Sequence, residues 1–151
     1  MKLNGGNGKV VATYALILGT IYFVLGIFEV VEGFGPFFGV TEGPVLGVEW
    51  LPADLFGGLA IIVVGAVYFG ATPLWKAKYE SLSFLLVSAL LSTVFGALYM
   101  LILGANGFGA FLAGEEWEWM ADLLRPEIWL FFLSLPLGYF ALKATRTKRE
   151  R

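Results

Sequence analysis

The chain has no cysteine, no histidine and no glutamine, and its asparagines are limited to Asn4, Asn7 and Asn106. Without cysteine and histidine there is no disulfide, no thiolate nucleophile, no imidazole metal ligand and no histidine-ligated haem. Ser-His and Cys-His catalysis are excluded for the same reason. The shortage of thermolabile side chains is typical of a thermophilic source. Apart from the carboxylate candidates described below, no residue pattern points to a catalytic centre or a metal site, and no cofactor is predicted.

Charged residues are also scarce, at 15% of 151 residues, against 58% hydrophobic residues and a mean hydropathy of +0.80. A soluble core of this size could not cover so much apolar surface. Four apolar runs approach the roughly 20 residues that cross a hydrocarbon layer about 30 Å thick. The first run is longer than a signal-peptide core, and no small-residue cleavage site follows it, so we interpret it as a retained helix. The sequence predicts an all-α integral membrane protein with four transmembrane helices.

Two short elements occur twice in the same order, which predicts a duplicated unit. The first is a Gly-Phe-Gly triplet, at 33–35 and 107–109. The second is a Glu-Trp dipeptide followed by an aspartate: Glu49, Trp50 and Asp54 in one copy, and Glu118, Trp119 and Asp122 in the other. Each unit is expected to cross the membrane twice and return to its starting side, so the predicted fold is two parallel-repeat hairpins.

The predicted boundaries follow the apolar runs. Repeat 1 spans 9–75, with helices at 9–31 and 55–75, and repeat 2 spans 81–142, with helices at 81–103 and 126–142. The remaining segments are polar: a flexible tail at 1–8, a linker at 76–80 and a basic tail at 143–151. Glycines at 19, 26, 57, 58 and 65 are expected at close helix contacts. The first outer loop is rich in glycine and phenylalanine, and the second should contain a short interfacial helix from residue 116 onward.

Basic residues are distributed unequally between the two predicted sides. With alternating loops, Arg125 is the one Lys or Arg on the outer side, and the inner side holds all the others. Because Lys and Arg resist translocation, both termini are expected in the cytoplasm of a plasma membrane protein. The acids show the opposite bias, since only Glu80 and Glu150 fall on the inner side. Four tryptophans are expected to anchor the helices at the interfaces: Trp50, Trp75, Trp119 and Trp129.

The repeated acidic elements have two interpretations. In the first, each tryptophan anchors the outer interface while Asp54 and Asp122 cap the helices that follow. In the second, Glu49, Asp54, Glu118 and Asp122 converge to form a cation-attracting mouth, since carboxylates alone can hold a hard cation. The second interpretation requires the two aspartates to face each other.

Glu29 and Glu32 form another candidate ligand or proton site at the outer end of the first helix. Their spacing of three places them on one side of that helix. At an exposed helix end they would be solvated. If the phenylalanine-rich loop folds over them, one carboxyl is desolvated and becomes suited to proton coupling.

A strip of small residues, Ser88, Ser92 and Gly96, runs along the third helix at intervals of four and predicts close helix packing. No charged residue falls near the middle of any predicted helix, which argues against an independent transporter. The sequence therefore favours a helix-packing subunit or accessory protein of a membrane complex or homo-oligomer. The alternatives are a small transporter or channel with a cavity between the repeats and, last, a carboxylate-dependent enzyme acting on lipid. The expected partners are the bilayer and another membrane subunit or a second copy, and no nucleic acid.

Overall fold

A computed structural model describes residues 5–48, 51–76, 78, 80–117 and 119–149. Its helices are α1 (Gly5–Phe37), α2 (Leu55–Phe69), α3 (Ser81–Ala113), α4 (Trp119–Leu123) and α5 (Pro126–Arg149), with a 3-10 turn at Thr72–Lys76 after α2. The described part of the chain has no strand. Four segments are long and apolar enough to cross a membrane: Gly6–Phe37, Leu55–Lys76, Ser81–Ala113 and Trp119–Arg146. The predicted all-α fold with four such helices is confirmed.

The helices form two antiparallel hairpins. α1 packs mainly against α2, and α3 packs mainly against α5, while lighter α2–α3 and α1–α5 contacts join the hairpins. The buried core between them includes Tyr22, Ile61, Tyr68, Leu85 and Leu130. The two hairpins match the predicted helix pairs, and the internal duplication itself stays a prediction.

Reciprocal glycine contacts set the α1–α2 crossing. A Cβ added to Gly58 would lie 2.8 Å from the carbonyl oxygen of Gly26, and one added to Gly26 would lie 2.7 Å from that of Gly58. Seven residues away on each helix, a Cβ on Gly65 would lie 2.7 Å from the carbonyl oxygen of Gly19. The partner backbone therefore occupies the space where a side chain would begin. Such approach between membrane helices requires small residues.

The small-residue strip of α3 packs against another helix of the same chain. Ser88, Ser92 and Gly96 are all buried. A Cβ added to Gly96 would lie 2.6 Å from Cγ of Phe131 on α5, and Ser92 Oγ lies 2.6 Å from Ser134 Oγ. The strip thus packs α3 against α5 of the same molecule.

Several helices extend beyond the predicted boundaries. The Gly-Phe-Gly triplets, predicted in loops, lie in the last turns of α1 and α3, and α5 continues through the basic segment to Arg149. For the Gly-Phe-Gly triplets, apolar surroundings favour a helix because it satisfies its own backbone hydrogen bonds. α3 ends where Gly114 adopts a left-handed conformation with φ 67°, which glycine adopts without steric cost. The short helix predicted from residue 116 is α4.

Candidate functional site

Both candidate glutamates of α1 are fully buried, but only Glu32 has hydrogen-bond partners. Its carboxylate accepts the backbone N–H of Leu46 at 2.7 Å and that of Val48 at 2.8 Å. The first outer loop therefore folds back onto α1 through Glu32. Two charge-assisted hydrogen bonds offset the cost of burying this carboxylate. Holding the loop in place is a sufficient structural role for Glu32.

Glu29 instead faces a second buried carboxyl, Glu127, in the first turn of α5. Glu29 is 0% exposed and Glu127 is 2% exposed, and none of their four carboxyl oxygens has a hydrogen-bond partner among the described residues. The two groups are close enough to interact electrostatically. We call Glu29 and Glu127 the carboxyl pair. It joins α1 of one hairpin to α5 of the other.

Two adjacent glycines of α2 make room for the carboxyl pair. A Cβ added to Gly58 would lie 2.9 Å from Cβ of Glu29. A Cβ added to Gly57 would overlap Oε1 of Glu127 and would lie 3.0 Å from Cγ of Asp54. Three helices thus enclose the pair, and water-excluding burial makes any uncompensated charge there costly.

Asp54 lies beside the pair, and both of its carboxylate oxygens accept hydrogen bonds. As the N-cap of α2, it accepts the Gly57 N–H at 2.9 Å through Oδ1. Its Oδ2 accepts the Tyr99 hydroxyl at 2.6 Å and Nη1 of Arg125 at 3.2 Å. Burial alone would raise the pKa of Asp54, but the bonds from Gly57 and Tyr99 and the charge of Arg125 outweigh it and hold the pKa below its ordinary value.

Arg125 brings the two repeated aspartates together. Besides Asp54, it contacts Asp122 at 3.8 Å, and its guanidinium lies 5.2 Å from the centre of the Tyr99 ring. Asp122 also accepts from Asn106 at 3.0 Å and from Trp117 at 3.1 Å. The two aspartates therefore contact the same guanidinium group. Its positive charge offsets their negative charge, so no bound metal ion is needed for that purpose.

The remaining predicted site residues are three that lie outside the described part of the chain and three tryptophans within it. Glu49, Trp50 and Glu118 lie outside the described residues. Trp119 is half-exposed at the start of α4. Trp75 donates to the Thr13 hydroxyl at 3.2 Å, and Trp129 donates to the Leu124 carbonyl at 3.1 Å. None of these three tryptophans takes part in the carboxyl pair or in the bonds of Asp54.

A cluster of buried hydroxyls lies deeper in the bundle. Tyr22, Ser92 and Ser134 are mutually hydrogen-bonded, with Ser92 to Ser134 at 2.6 Å and Tyr22 to Ser134 at 3.1 Å. The Tyr68 hydroxyl is also buried and has no hydrogen-bond partner in the described part of the chain. These four side chains, the hydroxyl cluster, provide polar groups near mid-depth.

The carboxyl pair with Tyr99 and the hydroxyl cluster are separated by the same number of residues on three helices. Tyr22, Ser134 and Ser92 each lie seven residues from Glu29, Glu127 and Tyr99, respectively, on the same three helices. Seven helical residues correspond to about 10 Å along each axis. Sequence reasoning missed Glu127 and Tyr99 because it considered one helix at a time. The shared seven-residue interval is the signal that could have revealed them.

Two buried, unpartnered carboxyls are chemically unusual because both cannot hold a charge in such surroundings without compensation. Protons or a bound cation can neutralise them. Across the residues that the structure describes, no group of three or more acidic side chains is arranged to hold a metal ion. The arrangement is suited to taking up and releasing a proton.

A family model described as the MJ0565 integral membrane domain matches residues 6–144, a range that contains every side chain of the carboxyl pair and the hydroxyl cluster. The chain belongs to the MJ0565 integral membrane domain family. A relative from Methanocaldococcus jannaschii, named "Uncharacterized protein MJ0565", is 28% identical over 113 residues, which cover 74% of each chain. No solved structure matches. Family membership and the four long apolar helices identify a multi-pass integral membrane protein embedded in a lipid bilayer.

Proposed function

We propose that this chain is a small membrane transport protein in which Glu29 and Glu127 take up and release protons. The observation that carries the proposal is the carboxyl pair, with two buried and unpartnered acids contributed by different hairpins. Ionisable groups buried within membrane bundles commonly mark ion or proton pathways. For a purely structural contact, apolar side chains of similar volume at both positions would be as stable or more stable.

A proton fits the carboxyl pair better than a metal cation. Calcium requires six to eight oxygen ligands, and magnesium requires six in an octahedron. The pair offers two carboxyls, while the neighbouring Asp54 is already bonded to Tyr99 and Arg125. A proton requires neither a large coordination shell nor additional ligands.

The hydroxyl cluster supports transport over a purely structural role. Tyr22, Ser92 and Ser134 lie below the carboxyl pair at the interface of the two hairpins, where parallel-repeat transporters form their substrate sites. The alternative role, a helix-packing subunit, was predicted from the strip of Ser88, Ser92 and Gly96. That strip contacts other helices of the same chain, so it supplies no argument for an external partner.

Proton flux into reconstituted vesicles tests the proposal. With a potassium diffusion potential as driving force and a pH-sensitive dye inside, we expect vesicles containing the protein to acidify faster than protein-free vesicles. Glu29→Gln and Glu127→Gln should each reduce the flux to the protein-free rate, because an amide cannot exchange a proton. Glu42→Gln, at an exposed loop position, should retain it. Equal rates with and without protein, or unchanged flux in Glu29→Gln, would contradict the proposal.

We further propose that the protein lies in the plasma membrane with both termini in the cytoplasm. Lys76, Lys78, Lys143 and Arg146 share one predicted side, opposite Arg125. Because the chain has no cysteine, single cysteines provide clean reporters. In intact cells, a membrane-impermeant maleimide should label Glu42→Cys but not Lys78→Cys, and lysis should expose both. Labelling of Lys78→Cys alone before lysis would reverse the orientation.

A further inference from the structure

Three oxygen-bearing side chains from three elements converge beside Gly57 of α2. A Cβ added to Gly57 would lie 2.5 Å from the Tyr99 hydroxyl oxygen and 3.0 Å from Cγ of Asp54, and it would overlap Oε1 of Glu127. All four carboxyl oxygens of the carboxyl pair are buried, so water does not touch them directly. A proton that enters or leaves the pair therefore passes through a neighbouring polar group.

Tyr99 is placed to be that group. Its hydroxyl donates to Oδ2 of Asp54 at 2.6 Å, and it is close enough to Glu127 to interact with it. A phenol oxygen can accept a hydrogen bond while its own proton is donated elsewhere. A protonated Glu127 can thus donate to the Tyr99 oxygen while the Tyr99 O–H points to Asp54.

Asp54 connects this arrangement to water. Its side chain is 26% exposed, whereas Tyr99 is 7% exposed and Glu127 is 2% exposed. Arg125 also contacts Asp54, but a guanidinium stays charged in proteins and cannot pass a proton on. Its positive charge instead favours the carboxylate form of Asp54. A proton that reaches Asp54 is therefore readily lost to the water outside.

We infer that Tyr99 relays protons between Glu127 and Asp54, and that Asp54 exchanges them with the outer water; this inference rests on the proposed proton transport. In the outward direction, the O–H bond of Glu127 breaks as its proton binds the Tyr99 oxygen. The former Tyr99 proton moves to Oδ2 of Asp54, so Tyr99 stays a neutral phenol and Glu127 becomes a carboxylate. Asp54 then releases the proton to water and is a carboxylate again. The inward direction reverses these steps, and no other reactant is needed.

Tyr99→Phe in the vesicle flux assay tests the relay. Phenylalanine keeps an aromatic ring beside Arg125 but removes the hydroxyl. We expect proton flux to fall about tenfold or more, because a positioned proton-transfer group contributes at least that much. Tyr14→Phe is the matched control and should retain the flux. Its hydroxyl also donates one hydrogen bond, to the Leu133 carbonyl at 2.8 Å, but it takes no part in the contacts around Gly57.

A second pair of variants separates proton transfer from a structural role of Asp54. Asparagine caps a helix as well as aspartate does, and its amide oxygen can still accept the Tyr99 bond, but the amide does not take up the relayed proton. Asp54→Asn should therefore lower the flux as strongly as Tyr99→Phe. Asp122→Asn removes the other carboxylate that contacts Arg125 and should retain the flux. If Asp54 only capped α2 and held Tyr99, Asp54→Asn would retain it too.

The outcomes distinguish the relay from the proposed function. If Glu127→Gln abolishes the flux while Tyr99→Phe or Asp54→Asn retains it, proton transport stands and the relay is wrong. Equal losses in Asp54→Asn and Asp122→Asn would trace the effect to the charge balance around Arg125 and would also overturn the relay. If wild-type vesicles acidify no faster than protein-free vesicles, the proposed function fails, and the relay fails with it.

Discussion

Replacing Glu29 by methionine should stabilise the protein, whereas the same change at Glu32, one turn along α1, should destabilise it. Both side chains are fully buried. Glu29 has no hydrogen-bond partner in the described part of the chain, so methionine removes an uncompensated polar group. Replacing whole buried ion pairs by apolar groups of similar volume is neutral or stabilising by about 1–4 kcal/mol, and removing one buried carboxyl without a partner should act in the same direction. Methionine at 32 would leave the N–H groups of Leu46 and Val48 without their acceptor, at about 1–3 kcal/mol each.

Denaturant or thermal unfolding of both variants in one detergent measures the difference. The Glu32 cost should fall at the lower end of its range because the loop is partly exposed and water can replace the lost acceptor. Glu42→Met, in the same loop but exposed, should change stability by no more than about 0.5 kcal/mol. If the two methionine substitutions changed stability in the same direction, the distinction between an unpartnered Glu29 and a hydrogen-bonded Glu32 would be wrong.

The paired outcome also bears on function. A protein that gains stability when Glu29 is removed retains that residue at a cost, and such costs are typical of functional sites. If Glu29→Met is more stable and also loses proton flux, the unpartnered carboxyl is explained by its chemistry. If it is more stable and retains full flux, the carboxyl pair is a packing feature and the proposed function fails.

Gly58→Leu should disrupt the first hairpin, with a loss of stability above the usual 1–3 kcal/mol of an overpacked core. The added Cβ would meet the Val30 nitrogen at 2.7 Å and the Gly26 carbonyl oxygen at 2.8 Å. These obstacles are backbone atoms, which cannot rotate away as a side chain would. α1 and α2 must therefore separate, and the carboxyl pair loses its enclosure at the same time.

Gly104→Leu in α3 is the matched control, because a Cβ there meets no atom within 4 Å. Leucine should leave the fold intact and gain about 0.5–1 kcal/mol from the lower flexibility of the unfolded chain. Chemical unfolding and protease resistance of the two variants give the comparison. A Gly58→Leu protein as stable as Gly104→Leu would show that α1 and α2 do not require this approach.

Local features of the sequence were sufficient for much of the fold. The four helices follow from apolar length, and the close-contact glycines at 26 and 58 follow from residue size. Asp54 was predicted as a cap from its position before α2, and it accepts the Gly57 N–H as a cap does. Helix ends were less accurate, because glycine and phenylalanine near residues 33 and 107 resemble a loop in composition but form helix in apolar surroundings.

The candidate site was only partly visible. Glu29 and Glu32 were recognised together, yet nothing in their spacing distinguishes the glutamate that binds the loop from the one that faces Glu127. Arg125 was used only as a charge for orientation, although it bonds Asp54, 71 positions away. Such partners are set by how two hairpins meet, which helical periodicity within one segment does not encode.

The sequence by itself determined that this protein lies in a lipid bilayer, how many of its helices are long enough to cross that bilayer, and where helices approach closely. It could do so because hydrophobic length and side-chain volume are local properties. Only the tertiary structure decided which buried acids have hydrogen-bond partners and which have none. In the folded chain, Glu29 faces Glu127 and Glu32 binds a loop. Three residues lie beneath the carboxyl pair: Tyr22, Ser92 and Ser134. The physical reason is that the cost of a buried carboxyl depends on the groups opposite it, and those groups come from other helices.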